Sequence, residues 1–308
     1  MIYLWFLIGL VIIVKSSDVF LDSAIWLART FKLPEVVVGA TIVSICTVLP
    51  ETVISFSASI HHNSGLAFGN AAGSMICNVG VVLAIGLLVK APTLSFVSKL
   101  KKNTFILIGL ILSLILCFAL TGQVSRSMGI ALLLILGWYL WENSHNNNIE
   151  SVVVVKKGKL GVWVMLLIVS ALGIAFGSHV LVVNGEKIAI SLGVPPLIIG
   201  LTLTAIGSSL PELVTCIASI SKGVADISIG NIIGANILNA CLVISASALA
   251  NPIILGKQSA IFNLVWALIF AFYLLLCFHR KSKKLYRLDG VALLAIYGIY
   301  LAFSIFTI

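Results

Sequence analysis

The sequence predicts an all-α integral membrane protein of about ten transmembrane helices, arranged as two inverted-topology repeats of five helices each. Three observations predict this fold: an extreme apolar composition, long apolar runs between short polar loops, and an internal repeat. Of the 308 residues, 60% are hydrophobic and 9% are charged, and the mean hydropathy is +1.19. Soluble domains carry about 25% charged residues, so this composition excludes a water-soluble fold.

The apolar runs have the length of transmembrane helices, because about 20 helical residues cross a hydrocarbon core of about 30 Å. The first stretch, Met1–Val14, has no basic n-region and no small-residue cleavage site, so we predict a retained helix rather than a signal peptide. The predicted spans are 2–25, 36–59, 66–89, 103–122, 127–142, 161–189, 196–220, 227–249, 258–278 and 289–307.

A glutamate that directly follows a proline in an apolar segment occurs twice, as Glu51 and Glu212, 161 positions apart. The surrounding segments, 39–78 and 200–239, share 12 identical residues in 40 columns. The first contains GATIVSICTVLPE and GNAAGSMICN, and the second contains GLTLTAIGSSLPE and GNIIGANILN. The repeated residues are mostly Gly, Pro, Glu and Asn, which are unfavourable on lipid-facing helices. Their duplication indicates a duplicated site.

Each half of the chain carries five predicted spans: 1–145 is the first repeat, 160–308 is the second, and 146–159 connects them. Because five is odd, the second repeat enters the membrane in the opposite sense from the first. Inverted repeats of this kind permit alternating access to a site near the middle of the membrane.

The basic residues indicate the orientation. Alternating loops place 15 Lys and Arg on one side, and only Arg126, Lys187 and Lys257 on the other, with Lys15 inside the first helix. By the positive-inside rule the first side is cytoplasmic. The connector is then cytoplasmic, and both termini are external in a multi-pass protein of the cell's inner or plasma membrane. The net charge of +9 is therefore a topology signal, and nothing predicts nucleic-acid binding.

The helix geometry around the glutamates predicts an oxygen-rich site. Pro50 and Pro211 each remove a backbone hydrogen bond, which frees a carbonyl one turn earlier. In lipid a free carbonyl is tolerated only where it lines a cavity or binds something. One helix face of the first copy presents Ser44, Thr47, Glu51 and Ser55, and the matching stripe of the second copy is Ala205, Ser208, Ser209 and Glu212. Such oxygens suit Ca2+ or Na+.

The following helix in each copy supplies further polar residues. Asn70, Ser74 and Asn78 recur at a spacing of four, and their counterparts are Asn231, Ala235 and Asn239. The alternative for such residues is interhelical hydrogen bonding without a ligand. The glutamates argue for a ligand, since one isolated acid at mid-membrane costs roughly 3 kcal/mol.

These segments resemble the two alpha-repeats of the calcium/cation antiporter superfamily, and most closely its prokaryotic sodium/calcium exchangers. The resemblance covers nearly the whole chain, with the alpha-repeats at 39–78 and 200–239. It implies that Glu51 and Glu212 are the central cation ligands. It further implies ligands at Thr47 and Ser208, flanking sodium ligands at Ser44, Ser74, Ala205 and Ser209, and a site closed in the middle by Asn78 and Asn239.

Four positions depart from the family pattern. Cys46 stands where the first repeat usually has Gly, Val48 where it usually has Ser, and Asn239 where Asp is frequent. Ala235 replaces the counterpart of Ser74. A methyl group cannot coordinate Na+, so each flanking sodium site has lost one ligand, and the identity of the coupling ion stays open.

We expect a secondary antiporter that exports Ca2+ in exchange for Na+ by alternating access, with Ca2+/H+ exchange as the alternative. It needs only the lipid bilayer and its ions as partners, with no cofactor, no enzymatic activity and no required oligomer. A cation channel or an intramembrane enzyme would use the acids differently. A channel would favour rings built by several subunits. Asp18 and Asp22, one turn apart, form a cation vestibule, or they snorkel or cap the helix, or Arg29 and Lys32 nearby balance their charge.

Overall fold

The computed structural model describes residues 1–145, 158–191 and 209–307, and they are almost entirely helical. Within these residues the chain forms ten helices. They are α1 (Ile2–Thr30), α2 (Glu35–Ile60), α3 (Ser64–Val89), α4 (Val97–Thr121), α5 (Arg126–His145), α6 (Leu160–Ser191), α7 (Leu210–Ser221), α8 (Ala225–Ala250), α9 (Lys257–Phe278) and α10 (Arg287–Thr307).

In the described part of the chain, eight of these helices are long and apolar enough to cross a membrane. The other two are α5, with 20 residues, and the shorter apolar α7, with 12. The all-helical membrane fold is thus confirmed. Predicted spans and observed helices differ mainly at their ends. The apolar pattern marks the part of a helix that lies in lipid, whereas α1 continues to Thr30 through its polar end. The start of the span predicted at 196–220 lies outside the described residues.

Three helices contain a wide, π-helical turn. In α2 it spans Gly39–Val43, in α3 Asn78–Leu83, and in α8 Asn239–Val243. The turns of α3 and α8 begin at the two asparagines that occupy equivalent positions in the repeated segments. Such turns widen a helix at the expense of regular hydrogen bonding and are frequent at functional sites.

Helices α3 and α8 form the centre of the molecule. In the most apolar 18-residue stretch of each, 78% and 83% of residues are buried, against 28% in α1, 22% in α6 and 17% in α10. The core around them is built from small and branched side chains such as Ala71, Ile76, Ile232 and Ala240. Hence the asparagines of α3 and α8 lie where lipid does not reach.

Helix α2 crosses α8 with their backbones in close contact, and glycines on both helices permit it. A Cβ on Gly39 would come within 2.9 Å of the Asn231 nitrogen, and one on Gly230 would come within 3.1 Å of the Val36 Cα. Small residues allow helices in lipid to approach to this distance. The crossing brings the helix of Glu51 against the helix of Asn239.

Helices α1 and α6 pack along each other as a pair and touch the other helices at far fewer places. Their backbones meet at Gly9 and Gly177, where an added Cβ on Gly9 would lie 3.1 Å from the Gly177 oxygen. Near one end, Trp26 and Trp163 stack with ring centroids 5.4 Å apart. The pair therefore forms a separate layer against α2 and α7.

Two short backbone pairings close the loops. Strand β1 (Gln123–Val124) pairs antiparallel with strand β2 (Ile253–Ile254), with Gln123 opposite Ile254. A single bridge joins Thr93 to Lys284. The sequence repeat, with its offset of 161 positions, aligns Thr93 with Ile254 and Gln123 with Lys284. The bridge Thr93–Lys284 is therefore the repeat equivalent of the pair Gln123–Ile254.

Candidate cation-binding site

Glu51 lies inside α2, directly after Pro50, and its side chain is 0% exposed. Helix α2 continues through the proline to Ile60. Neither carboxyl oxygen of Glu51 has a hydrogen-bond partner. A buried charged group without partners is costly, so the carboxyl group lies ready to accept a ligand.

Glu212 lies in the first turn of α7, which begins at Leu210 with Pro211 near its N-terminus. The Glu212 side chain is 1% exposed, and both its carboxyl oxygens lack a hydrogen-bond partner. Position in the first helical turn favours a negative charge, because the unpaired N–H groups there carry partial positive charge. The two glutamates therefore share burial and lack of partners, but α2 places Glu51 in mid-helix and α7 places Glu212 at a helix start.

The fold brings the two glutamates together. The Glu212 carboxyl lies within electrostatic range of Glu51 and beside the Thr47 hydroxyl, which α2 carries one turn before Glu51. Among the described residues, no group of three or more His, Cys, Asp or Glu side chains has the arrangement of a metal-ion site. The site is accordingly two carboxyl groups surrounded by neutral oxygens, which is the ligand chemistry that Ca2+ and Na+ prefer.

Ser44 and Thr47 are held at the crossing of α2 with α8. The Ser44 hydroxyl lies 2.8 Å from the Gly39 oxygen and 3.0 Å from the Asn231 oxygen. The Thr47 hydroxyl lies 3.3 Å from the Ser44 oxygen and 3.4 Å from Asn231 Oδ1. A hydroxyl that donates its proton to a carbonyl still has lone pairs that can accept a cation. Thr47 is thereby oriented by groups from both halves of the chain.

Ser74 and Asn78 enter from α3. Ser74 is buried and its hydroxyl has no partner. Asn78 donates from Nδ2 to Asn236 Oδ1 at 3.0 Å, and Asn236 Nδ2 donates to the Met75 oxygen at 3.0 Å. Asn78 Oδ1 is left buried without a partner. Because one side of its amide is fixed by α8, the other side presents an oxygen ligand in a defined position.

Asn239 and Ser209 are residues of the second half that the sequence implicates in the site, and both lack this anchoring. Asn239 is fully buried, and neither its Oδ1 nor its Nδ2 has a hydrogen-bond partner. Ser209 precedes α7, and its hydroxyl is likewise buried and unpartnered. Ser208 and Ala205, which the sequence also implicates, lie outside the described residues, as does the Gly207 carbonyl.

Val48 and Ala235, which depart from the family pattern, have apolar side chains and apolar surroundings. Val48 and Ala235 are both fully buried in the main hydrophobic core. Cys46 lines a cavity of about 10 Å³, enough for roughly one water molecule. That cavity separates α1 and α6 from α2 and α7, and its lining is Phe20, Cys46, Thr47, Pro50, Ala171, Ile174, Ala175 and Pro211. Thr47 thus faces both the glutamates and the layer formed by α1 and α6.

Three residues have roles that the sequence did not show. Asn236 fixes Asn78, but its counterpart in the first repeat is Met75, so a search for repeated polar residues passes over it. Cys77 has no cysteine counterpart in the other repeat, and it lies beside Ser209 and within electrostatic range of both glutamates. Asn70 donates to the Glu51 backbone oxygen at 3.1 Å and to Ser55 Oγ at 2.8 Å, so it joins α3 to α2.

Asp18 and Asp22 do not join the glutamates. Their carboxylates lie 3.2 and 3.0 Å from Lys222 Nζ, and both are about half exposed. Burial lowers the pKa of Lys222, but its hydrogen bonds to Asp22 and Asp18 outweigh burial and raise that pKa above its ordinary value. The ion pairs join α1 to the C-terminal end of α7, whereas Glu212 lies at the N-terminal end of α7.

The comparisons with known proteins cover the whole chain. The family described as sodium/calcium exchanger protein matches residues 1–143 and 162–306. Inner membrane protein YrbG of Escherichia coli K12 is 34% identical over 96% of this chain and 94% of its own. Sodium/calcium exchanger MaX1 of Methanosarcina acetivorans is 29% identical over 97% of both chains.

A solved structure gives the same result. The sodium-calcium exchanger NCX_Mj, soaked without Na+ and Ca2+, superposes with a TM-score of 0.84 at 29% identity, over 98% of this chain and 99% of that one. The family implied by the repeated segments is therefore confirmed, and with it a multi-pass membrane protein of the exchanger type. The chain belongs to the sodium/calcium exchanger protein family.

Proposed function

We propose that this protein is a secondary antiporter that exports Ca2+ from the cytoplasm in exchange for Na+, with the ions bound between Glu51 and Glu212. One observation carries the proposal. Two carboxyl groups from different halves of the chain lie within electrostatic range of each other in the protein interior. In the part of the chain that the structure describes, none of their four oxygens meets the geometry of a hydrogen bond. Together they supply up to two negative charges, which match one divalent cation.

The neighbouring groups support a cation as the missing partner. None of the ion pairs between described residues includes Glu51 or Glu212, so no basic side chain neutralises them. Unpartnered oxygens of Ser74, Asn78 and Ser209 lie on the helices that carry or adjoin the glutamates. Buried charge is tolerated when it coordinates a metal ion, and Ca2+ takes six to eight oxygen ligands. The same oxygens accept Na+ when Ca2+ leaves, so the two ions compete.

We further propose that residues 1–145 and 160–308 are inverted repeats joined by the connector 146–159. The exchange of the two backbone pairings under the 161-residue offset supports a two-fold relation between the halves. Residues 146–157 of the connector lie outside the described residues. The pair α1 and α6, with few contacts to the rest, is the element that slides to open the site to one side and then the other.

The direction of transport follows from the proposed orientation. The positive-inside rule places the loop 279–286, with Arg280, Lys281, Lys283 and Lys284, in the cytoplasm, and both termini outside. In a plasma membrane with Na+ low inside, Na+ entry at this site drives Ca2+ outward. The names of the relatives MaX1 and NCX_Mj, both sodium/calcium exchangers, support Na+ as the counter-ion.

Ca2+/H+ exchange is the second candidate, and a specific observation favours it. Val48 and Ala235 place methyl groups where a sodium site would use hydroxyls, and both lie in the hydrophobic core. Two carboxyl groups in one buried site resist double ionisation, so a proton can replace a cation there.

Flux measurements separate the two candidates. The purified full chain is reconstituted in proteoliposomes, and 45Ca2+ uptake is followed with a Na+ gradient or a pH gradient imposed separately. The proposal expects uptake driven by the Na+ gradient at constant pH. Uptake that follows only the pH gradient would establish proton coupling instead, and no uptake under either gradient would contradict antiport of Ca2+.

A further inference from the structure

A cavity of about 600 Å³ lies at the start of α4 and the end of α5, and neither Glu51 nor Glu212 lines it. Volumes of 300–1,000 Å³ are typical of small-ligand sites. Four lysines and one glutamate line it, together with neutral polar residues. The full lining is Ser95, Phe96, Val97, Ser98, Lys99, Lys101, Lys102, Asn103, Glu142, Asn143 and Lys283.

The charge in this cavity is strongly positive. Lys102 forms an ion pair with Glu142, the only acidic residue of the lining. The lining therefore carries four lysines against one glutamate, and Lys101 and Lys283 have no ion pair among the described residues. The cavity also lies beside the first turn of α4, a 25-residue helix, but the Asp226 carboxylate already accepts hydrogen bonds from the N–H groups of Ser95 and Phe96 there, so the lysines supply the positive charge.

A buried amide points to a ligand independently of the lysines. Asn103 lines the cavity, is 2% exposed, and has no hydrogen-bond partner for its Nδ2. A buried hydrogen-bond donor that is left unpaired destabilises the protein. An anion with several acceptor oxygens would satisfy it.

Lys283, which also lines the cavity, is held in position by its backbone. Lys283 has a φ of 51°, a left-handed conformation that non-glycine residues rarely adopt. The Leu94 nitrogen donates to the Lys283 oxygen at 2.8 Å, and Leu285 donates to the Pro92 oxygen at 3.1 Å. Strained backbone of this kind is kept where the surrounding structure fixes it, frequently at ligand sites.

Asp226 fixes the segment that precedes α4, which also lines the cavity. Its carboxylate accepts hydrogen bonds from the Ser95 nitrogen at 3.0 Å and the Phe96 nitrogen at 3.3 Å. The start of α4 is therefore anchored to α8, and the cavity is a preformed feature of the fold. Its lysine and asparagine side chains, rather than those two backbone N–H groups, remain to contact a ligand.

The level of the cavity in the membrane indicates the ligand. Trp138 and Trp141 of α5 are 49% and 57% exposed, and Trp141 immediately precedes Glu142. Exposed tryptophans concentrate where the bilayer meets water. Basic pockets at this level, on the side that our proposed topology assigns to the cytoplasm, suit the phosphates of anionic lipids.

We propose that this cavity binds a phosphate-bearing anion, either the headgroup of an anionic phospholipid or a free phosphate compound, through Lys101, Lys283 and Asn103. Binding here is separate from cation exchange at the glutamates. It is therefore measured without transport, and its outcome does not depend on which ion drives Ca2+ flux.

The test is native mass spectrometry of the full chain in detergent, titrated with phosphatidylglycerol or with phosphatidylcholine of the same acyl chains. We expect phosphatidylglycerol to bind about 10- to 30-fold more tightly, an advantage of two lysines. Lys101→Gln with Lys283→Gln should remove that preference. Lys281→Gln with Lys284→Gln is the control, because it changes the net charge equally and lies in the loop that carries Lys283 but outside the cavity lining. This variant should keep the preference for phosphatidylglycerol.

A second variant addresses the buried amide. Asn103→Leu replaces an unpaired donor by a side chain of similar size, so it should weaken binding without lowering the melting temperature. Inorganic phosphate at millimolar concentration distinguishes the source: displacement of the lipid supports a free phosphate compound, and no displacement supports the headgroup. The proposal is overturned if neither lipid nor phosphate shows a preference, or if both lysine pairs lose binding equally.

Discussion

Helices α3 and α8, one from each half of the site, have equivalent backbone turns but carry different side-chain chemistry. In both α3 and α8 a wide turn begins at the equivalent asparagine, Asn78 or Asn239. Asn78 is anchored by Asn236, whereas Asn239 has no partner, because the residue equivalent to Asn236 is Met75. Ser74 likewise has Ala235 at the equivalent position of the second repeat. Duplication fixes where the polar groups lie, and later substitution decides what each can bind.

The largest effect is expected where the halves agree. Glu51→Gln or Glu212→Gln removes one of two carboxyl groups at the centre of the site, and each should lower Ca2+ flux by about 100-fold or more. Melting temperatures should be unchanged or higher, since no described partner loses a hydrogen bond. The measurement is 45Ca2+ uptake in proteoliposomes. Flux at the wild-type rate in both variants would show that the paired carboxyl groups are not the transport site.

The asparagines sharpen the comparison through stability. Asn78→Ala leaves Asn236 Oδ1 buried and unpaired, so it should cost about 1–3 kcal/mol of stability as well as Ca2+ affinity. Asn239→Ala breaks no hydrogen bond of the described residues and should lower Ca2+ affinity with a smaller loss of stability than Asn78→Ala. Thermal unfolding in detergent and equilibrium 45Ca2+ binding report the two quantities. Equal loss of stability in both variants would contradict the asymmetric anchoring.

Much of this architecture could be predicted from the sequence. The apolar runs located the helices, because about 20 apolar residues in succession have few stable alternatives to a membrane span. The repeat located Glu51, Glu212, Asn78 and Asn239, because buried polar residues are costly and rarely duplicated without function. These predictions used local patterns and one internal alignment.

The remaining features depend on contacts between distant segments. Asn236 and Cys77 are unmatched in the other repeat, so internal alignment could not select them. The partner of Asp18 and Asp22 is Lys222, 200 positions from Asp22, which is too far along the chain for a local pattern to indicate. The wide turns are also invisible in the pattern, because helix packing rather than residue type decides where a helix widens.

The serine and alanine positions test coupling. Val48→Ser with Ala235→Ser restores two hydroxyls, and we expect Na+-driven Ca2+ flux to reach half-maximum at several-fold lower Na+, with little change in Ca2+ binding. Ser74→Ala is the matched removal and should raise the Na+ requirement. Flux that ignores Na+ and follows pH in the wild type and in the restored variant would show a proton-coupled exchanger.

The smallest effect concerns the thiol at the site. Cys77 adds a soft ligand beside Ser209, so Cd2+ should inhibit Ca2+ uptake several-fold more strongly in the wild type than in Cys77→Ser. Cys216→Ser is the control, because the Cys216 thiol contacts the Val82 oxygen instead. Equal Cd2+ inhibition of wild type and Cys77→Ser would place Cys77 outside the ion pathway.

The most direct test locates the transported ion. Crystals of the full chain soaked in Sr2+, which stands in for Ca2+, are examined by anomalous diffraction with and without excess Na+. We expect one strong peak at about 2.3–2.8 Å from carboxyl oxygens of both Glu51 and Glu212, and its loss when Na+ is added. A peak at Asp18 and Asp22 with none between the glutamates, or a peak between the glutamates that Na+ leaves unchanged, would contradict the central claim.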